Sequence, residues 1–241
     1  MGAEGSSLAG AEAALVDGEH HRGRGKVAQR REHAFEFAAA IAEFDRQHAS
    51  ADAAAAGAAV PGAARIRVAV RKRPLFEHES AKKDFDVVSC GAGGVWLHRT
   101  AMRADLKHMV CESFDFGFET VFSEADDTDA VFRAAVEPLV AATAASGGVS
   151  TVMCFGQTGS GKTYTTNGVA ERAAAALFAA LPAGAAVLAV CVEVAGSKIH
   201  DLLSDGADVS LLEDGDGRVH LKGAAEHPTA DAAALQATLV K

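Results

Sequence analysis

A glycine-rich stretch near the middle of this chain limits its possible folds more than any other sequence feature. Residues 156–163 have the sequence GQTGSGKT, a complete G-x-x-x-x-G-K-[ST] phosphate-binding loop. The preceding segment 149–155 is short, apolar and rich in β-branched residues, which predicts a buried strand. The chain after Lys162 lacks glycine and proline for several residues and then becomes rich in alanine, which predicts a helix. The sequence therefore predicts the strand, loop and helix that this motif requires.

The residue types of the loop suit a triphosphate. Glycines at 156, 159 and 161 let backbone N–H groups approach the phosphates, and the start of a helix adds free N–H donors and a positive dipole end. Lys162 supplies a charge between the outer phosphates, and the hydroxyl of Thr163 can ligate magnesium. A glycine-rich turn could match the motif by chance, but the flanking pattern favours a phosphate site. The predicted phosphate-binding residues are Gly156, Gln157, Thr158, Gly159, Ser160, Gly161, Lys162 and Thr163.

Composition narrows the function classes. The length of 241 residues suits one large domain, or a domain with an appendage. The net charge of −9 argues against a nucleic-acid binder. Four widely spaced cysteines without a C-x-x-C pair suggest reduced thiols rather than a metal site. We expect no secretory signal, because the first residues are small and polar. We expect no membrane span, because Pro182 and Gly184 interrupt the most apolar stretch, 173–192.

Residues 1–64 are expected to form a low-complexity N-terminal extension. Five basic residues and no acidic residue lie in 20–31, which is typical of a flexible solvated segment or of a basic arm for an acidic partner. Phe37, Ile41 and Phe44 share one face at helical spacing. They predict a short amphipathic helix that packs on its own domain or on a partner.

We expect the folded domain to span 65–241. Alternation in 65–71 predicts a strand that ends before Pro74, and a β-meander is expected to follow. A helix over 129–145 should be kinked by Pro138 and ended by Gly147. A buried strand is expected at 187–194, giving a parallel α/β sheet with a right-handed crossover around the loop. Further expected features are meander strands at 85–88, 95–98 and 114–122, a hairpin turn at 213–217 and a final Ala/Leu segment from about 229.

Several of these stretches together resemble the first half of a kinesin motor domain. The resemblance lies in the R-x-R-P signature at 71–74, the F-x-F-D-x-V-F block at 116–122, the loop with its flanks at 155–165, the block SKIHDLL at 197–203 and LEDG at 212–215. In the second of these blocks Glu119 replaces the usual Asp. The resemblance implies a P-loop NTPase fold of the kinesin motor type, with a central sheet flanked by helices and truncated relative to the family. It also implies ATP and Mg²⁺ as ligands.

The resemblance also implies an adenine site and a partner. Arg71, Arg73 and Pro74 would frame the adenine, with Tyr164 near it, since an arginine plane, a proline ring and an aromatic ring can enclose a purine. The alternative for the two arginines is a pair of surface charges on an edge strand. The implied partner is the microtubule, in the cytoplasm and cytoskeleton. A homodimer would form through regions outside this chain.

Within kinesins, the sequence is most similar to the internal-motor, microtubule-depolymerising subfamily. Residues 81–89 resemble its first lobe, and the helix around Phe44 is placed like its neck. Arg103-Ala104-Asp105 stands where that subfamily carries a Lys-Val-Asp finger, with two of the three residues changed. The activity of the finger is therefore in question.

The switch I motif of the family, Asn-x-x-Ser-Ser-Arg, does not occur after the loop, and the one Asp-x-x-Gly match there, at 214–217, lies in the expected hairpin turn. The catalytic residues stay unassigned, and we expect weak nucleotide binding and little hydrolysis. One alternative is a non-catalytic motor-like module that binds nucleotide or a partner. Another is a small P-loop kinase or unrelated ATPase that uses Glu193 as an acidic strand-end residue, although Glu193 also suits a surface position.

Overall fold

The computed structural model describes residues 23–55, 66–91, 93–103 and 108–239. The chain divides into two compact units, residues 1–124 and residues 125–241. The phosphate-binding loop lies in the second unit, and the R-x-R-P segment lies in the first.

The first unit combines N-terminal helices with short strands. Its helices are α1 (Gly23–Glu32), α2 (Ala34–Ala55) and α3 (Glu77–Ser80). Its strands are β1 (Ala69–Arg71), β2 (Val88–Gly91), β3 (Gly94–Met102), β4 (Met109–Gly117) and β5 (Thr120–Phe122).

A three-stranded β-meander is present, as expected, but with different bounds. The first strand, expected at 85–88, is β2 at Val88–Gly91, and the segment expected at 114–122 is divided between β4 and β5. Strands β2, β3 and β4 pair in chain order, and both pairs are antiparallel. Strand β1 pairs in parallel with β5, and Val70 lies opposite Val121. Strand β1 is shorter than expected, because residues 66–68 lie outside the ladder and Ile66 is 80% exposed.

The predicted amphipathic helix is also confirmed, and it packs on its own unit. Phe37 of α2 is fully buried, and its ring stacks on that of Phe85 with centroids 5.8 Å apart. Ile41, one turn later, is 6% exposed. Phe44 continues the same face, and its ring lies 5.8 Å from that of Trp96 on β3. Apolar residues at i, i+4 and i+7 of α2 thus cover one side of the meander.

The described part of the basic segment, from residue 23 onward, forms α1 and is joined to the rest of the unit. Arg31 donates two hydrogen bonds to the carboxylate of Asp84, at 2.8 and 2.9 Å. This contact raises the pKa of Arg31 and lowers that of Asp84. At least this basic side chain is therefore committed to an internal ion pair.

Within its described residues, 125–239, the second unit carries five helical segments and six strands. The helical segments are α4 (Thr128–Val131), a wide π-helical turn (Phe132–Val136), α5 (Glu137–Ser146), α6 (Lys162–Ala180) and, at the end, α7 (Ala232–Leu239). The strands are β6 (Val187–Ala189), β7 (Val192–Ala195), β8 (Lys198–Asp201), β9 (Ala207–Glu213), β10 (Val219–Lys222) and β11 (His227–Thr229). Strands β7 to β10 form an antiparallel sheet in chain order, and β6 pairs with β11.

The helix expected over 129–145 is present, and it is interrupted where Pro138 predicts. The turn before the proline is π-helical, with the N–H of Glu137 bonded to the carbonyl of Phe132. Proline has no N–H and its ring crowds the preceding turn, so a wider turn accommodates it. Gly147 ends the helix with a φ of 65°, as its position predicts.

Two strand predictions are wrong. Residues 149–155 belong to no described strand, and Val149, Met153 and Phe155 are 96%, 83% and 97% exposed. The segment expected at 187–194 is divided into β6 and β7, both in antiparallel pairs. The expected parallel sheet around the loop is therefore not formed, because no described strand pairs with 149–155 and a parallel strand needs a distant partner.

Two further findings concern the remaining expectations. Residues 104–107, which include most of the segment aligned with the subfamily's finger, lie outside the described residues. Among the helices that the structure describes, none has the length and apolar character needed to cross a bilayer.

Candidate nucleotide-binding site

The loop of residues 156–163 has a backbone that depends on its glycines. Gly156, Gly159 and Gly161 have φ angles of 156°, 82° and 92°. At Gly156 a β-carbon would lie 2.5 Å from the Oγ of Ser160, so a larger residue cannot fit without a shift. The N–H of Ser160 donates to the carbonyl of Gln157 at 3.1 Å, which closes a tight turn. The motif glycines therefore allow a backbone path with positive φ angles that other residues rarely adopt.

The helical side of the expected junction is present. Helix α6 begins at Lys162, directly after Gly161. The N–H of Thr165 bonds to the carbonyl of Gly161 at 3.1 Å, which starts the helical ladder. A helix that begins at the motif lysine directs its positive dipole end toward the loop. Thr163 lies in the first turn of this helix and is exposed.

Lys162 bridges the two ends of the motif. Its Nζ donates to the carbonyl oxygen of Gly156 at 2.6 Å and to that of Gln157 at 2.9 Å. The ammonium group thus lies against polar oxygens rather than against carbon. It stays at the loop, where a phosphate oxygen could replace a carbonyl as its acceptor.

The segment that leads into the loop lies beside an apolar cavity. Val152, Met153 and Cys154 line one side of a cavity of about 610 Å³, together with residues of α5, α6 and α7. These three residues belong to no helix or strand. The loop therefore has its helix in place, while its expected strand is unpaired.

Arg73, expected at the adenine, is held by its neighbours in the first unit. Its guanidinium donates to both carboxylate oxygens of Glu79, at 2.7 and 2.6 Å, and lies 4.4 Å from the ring centroid of Phe76. The backbone N–H of Phe76 also donates to Glu79, at 2.8 Å. The Arg73 hydrogen bonds, followed by that from Phe76, lower the pKa of Glu79 to about 2. Sequence reasoning missed Phe76 and Glu79, although an acid six residues after an arginine is a visible signal.

The other expected adenine residues are placed as follows. Arg71 is the last residue of β1, and Pro74 is exposed in the segment after it. Tyr164 is on α6 in the second unit and is 71% exposed. Arg71, Arg73 and Pro74 are thus brought together in the first unit, within four residues of chain. The second unit by itself brings Tyr164 next to the loop.

Glu193, the acidic residue of the alternative ATPase hypothesis, lies on β7 opposite His200 of β8. It is exposed on this antiparallel hairpin. The placement suits a surface residue. In the portion of the chain that the structure describes, no cluster of three or more histidine, cysteine, aspartate or glutamate residues could hold a metal ion.

Comparison with known families decides which kind of protein carries this loop. The model of the kinesin motor domain matches residues 71–241, more than half of the chain. The chain belongs to the kinesin motor-domain family. The spindle kinesin-1 of the diatom Cylindrotheca fusiformis is 38% identical over 168 residues, which are 68% of this chain and 27% of that protein.

Two plant kinesins are also similar. Kinesin-like protein KIN-13B of Arabidopsis thaliana is 34% identical over 177 residues, 71% of this chain and 26% of that protein. Kinesin-like protein KIN-13A of Oryza sativa subsp. japonica is 32% identical over 175 residues, 70% of this chain and 21% of that protein. This kinesin chain therefore spans about a quarter of the length of these relatives.

Solved kinesin structures share the fold. A KIF14 dimer in its two-heads-bound state, with AMP-PNP and in complex with a microtubule, matches with a TM-score of 0.58 and 24% identity over 73% of this chain and 52% of that one. A fast kinesin matches with a TM-score of 0.62 and 22% identity, covering 73% of this chain and 51% of the other. The expected kinesin-type α/β fold is confirmed, and the chain spans about half of each solved chain.

Proposed function

We propose that this chain is the nucleotide-binding half of a microtubule-based kinesin motor. The observation that carries the proposal is the loop at 156–163, with glycine-dependent curvature, a helix that starts at the motif lysine, and an ammonium group held at the loop. Membership of the kinesin family supports ATP as the nucleotide. Backbone N–H groups and Lys162 would bind the phosphates, and the hydroxyl of Thr163 would ligate Mg²⁺.

The adenine site is a further part of the proposal. Arg71, Arg73 and Pro74, which lie within the first unit, would frame the base. For Tyr164, a place near the adenine stays a prediction from the family resemblance. Contacts of Arg73 with Glu79 and Phe76 favour a fixed guanidinium plane, which is suited to stacking. The catalytic residues stay unassigned, because the Asn-x-x-Ser-Ser-Arg motif does not occur in this sequence and its one Asp-x-x-Gly match after the loop lies in the β9–β10 turn.

The partner, the location and the domain organisation are proposed with the same reasoning. The partner is the microtubule, and the location is the cytoplasm, on the cytoskeleton. A dimer would form through regions outside this chain. The division into an N-terminal extension, 1–64, and a motor segment, 65–241, belongs to the same proposal.

The finer proposal is a motor of the depolymerising subfamily. Its support is the first-lobe similarity at 81–89 and the occurrence of two KIN-13 proteins among the relatives. The helix expected as its neck, α2, has its apolar face on the meander, as shown by Phe37 and Ile41. That placement supports a neck that is docked on its own motor segment.

A second candidate is a non-catalytic module, and one observation favours it. Both carbonyl oxygens that receive the Lys162 ammonium belong to the loop itself, so this side chain contributes to the hydrogen bonding within the loop. Such a module would bind a partner through its N-terminal helices. The ion pair of Arg31 with Asp84 reduces the charge that α1 can offer to an acidic partner.

Microtubule-stimulated ATP turnover and microtubule pull-down separate these candidates. The motor proposal expects nucleotide-dependent cosedimentation that Lys162→Ala weakens, with turnover well below that of a full motor. Pull-down that tolerates Lys162→Ala but is lost when residues 20–31 are deleted would favour the non-catalytic module. Lys26→Ala, on α1, is a control for loss of a single basic residue.

A further inference from the structure

A buried histidine lies under the long N-terminal helix. His98 of β3 is 2% exposed. Its Nε2 is 2.7 Å from the Oγ of Ser89 on β2, and its Nδ1 is 2.8 Å from the Oγ of Ser113 on β4. A neutral imidazole has one donor and one acceptor, and a serine hydroxyl can fill either role. The neutral ring is therefore fully satisfied between the two strands.

Helix α2 covers this histidine with an aromatic ring. The ring of Phe44 meets that of His98 edge to face, with centroids 4.8 Å apart. On Phe44 stacks His48, at 3.8 Å, whose Nδ1 is 2.8 Å from the Phe44 carbonyl oxygen. Trp96 of β3 touches both, with centroids 5.8 Å from Phe44 and 5.7 Å from His48. Four rings thus join α2 to the sheet, and two of them can take up a proton.

The charges around His98 leave burial as the dominant effect. Burial lowers the pKa of His98, His48 and Lys72 act in the same direction, and Asp45 and Asp86 oppose them. Asp86 is itself bound by Lys72 at 2.5 Å, and Lys72 also binds Glu124 at 2.9 Å. The positive charge of Lys72 thus offsets part of the effect by which Asp86 raises the pKa of His98. Burial therefore opposes a positive charge on His98, and Phe44 is the ring that covers it on the side of α2.

We propose that the docking of α2 on the sheet is sensitive to pH, and that protonation of His98 releases Phe44 and His48 from the sheet. The neutral ring needs no solvent and favours the docked helix. The imidazolium ring requires hydration and favours the helix lifted from His98. Because docking lowers the proton affinity of His98, the docked state loses stability as the pH falls below the usual histidine pKa of 6.5. This pH-dependent docking of α2 does not require a bound nucleotide.

Trp96, the single tryptophan of the chain, reports the docking of α2. Between pH 7.5 and 5.0 we expect its emission to shift to the red, and we expect amide protection in α2 to fall by at least about tenfold after correction for intrinsic exchange. The helical signal in circular dichroism and the protection of α6 should stay constant. The variant Phe44→Ala should give the released emission at every pH.

Two matched variants assign the effect. His98→Asn keeps a polar group between the serines but cannot be protonated, so its Trp96 emission should be independent of pH. His48→Phe keeps the stacked ring and should retain the transition. If His98→Asn does not fold, the ring signals of His98 in the unaltered protein should titrate together with the Trp96 emission. A pH-independent Trp96 signal, or a transition retained in His98→Asn, would overturn the proposal.

Discussion

The Nζ of Lys162 lies 2.6 Å from the carbonyl oxygen of Gly156, so the seventh residue of the phosphate-binding motif is bonded to the first. This hydrogen bond crosses the open side of the loop and places a positive charge where phosphates would enter. It depends on a close approach of backbone and side chain at Gly156. The following predictions test this site and the packing around it.

Gly156→Ala should disturb the loop, because the new methyl group would lie 2.5 Å from the Oγ of Ser160. Strain of about 1–3 kcal/mol corresponds to a loss of roughly 5- to 150-fold in nucleotide affinity. Titration with a fluorescent ATP analogue measures it. Gly25→Ala, on α1 with open space around it, is the control and should leave the affinity unchanged. Equal affinity of Gly156→Ala and the unaltered protein would contradict the expected crowding.

Phe37→Ala should destabilise the first unit by about 3–5 kcal/mol, because a fully buried phenyl ring would be lost from the interface of α2 with Phe85. Urea unfolding followed by Trp96 fluorescence measures the change. Phe35→Ala is the matched control, two residues away on the same helix, since Phe35 is 84% exposed. We expect its effect to be within about 0.5 kcal/mol. Similar losses for the two variants would contradict the observed orientation of α2.

The pair of Arg73 and Glu79 has a defined pH dependence. The pKa of Glu79 is lowered to about 2 from the usual 4.5, chiefly by the hydrogen bonds from Arg73. The contact therefore contributes fully above pH 4.5 and is lost as the pH falls through about 2. In Arg73→Gln the pKa of Glu79 should rise toward 4.5, as measured by carboxyl NMR titration. Arg99→Gln, which alters the longer pair with Glu112, should leave it near 2. An unchanged value in Arg73→Gln would exclude Arg73 as the main cause.

Asp201 should be important for the stability of the second unit. Its side chain is fully buried, and it accepts the N–H groups of Ala225 and Leu203 at 2.8 Å each. These bonds, that from Ala225 first, lower its pKa, so its contribution is lost as acid protonates the carboxylate. Asp201→Ala should lower the melting temperature by on the order of 5 °C or more. Asp216→Ala, on an exposed turn, is the control, and equal melting temperatures would contradict this role.

Local features of the fold could be predicted from the sequence. The helix after the loop begins at the motif lysine. In the helical segment before the loop, Pro138 follows a π-helical turn and Gly147 ends the helix. The turn at 213–217 connects β9 and β10, as its Asp and Gly residues predict. Each of these features follows from the backbone preferences of residues close in sequence. The resemblance carried by the R-x-R-P signature and the loop correctly predicted the kinesin family.

Features that depend on distant partners could not be predicted in this way. Residues 149–155 have the composition of a strand, but a strand forms only where another offers its backbone, and no described strand does. Arg31 and Asp84, which form an ion pair, are 53 positions apart. The two serines that contact His98 are 9 and 15 positions away from it in the sequence. Periodicity identifies the apolar face of α2, but it does not identify such polar partners.

Equilibrium binding of Mg²⁺·ATP, measured by calorimetry on the unaltered protein and on Lys162→Ala, tests the central claim most directly. The proposed site predicts weak saturable binding that requires Mg²⁺ and is reduced by at least about tenfold in Lys162→Ala, while Lys198→Ala, on β8, binds as the unaltered protein does. No binding by the unaltered protein, or the same affinity in Lys162→Ala, would contradict the assignment of residues 156–163 as a nucleotide site.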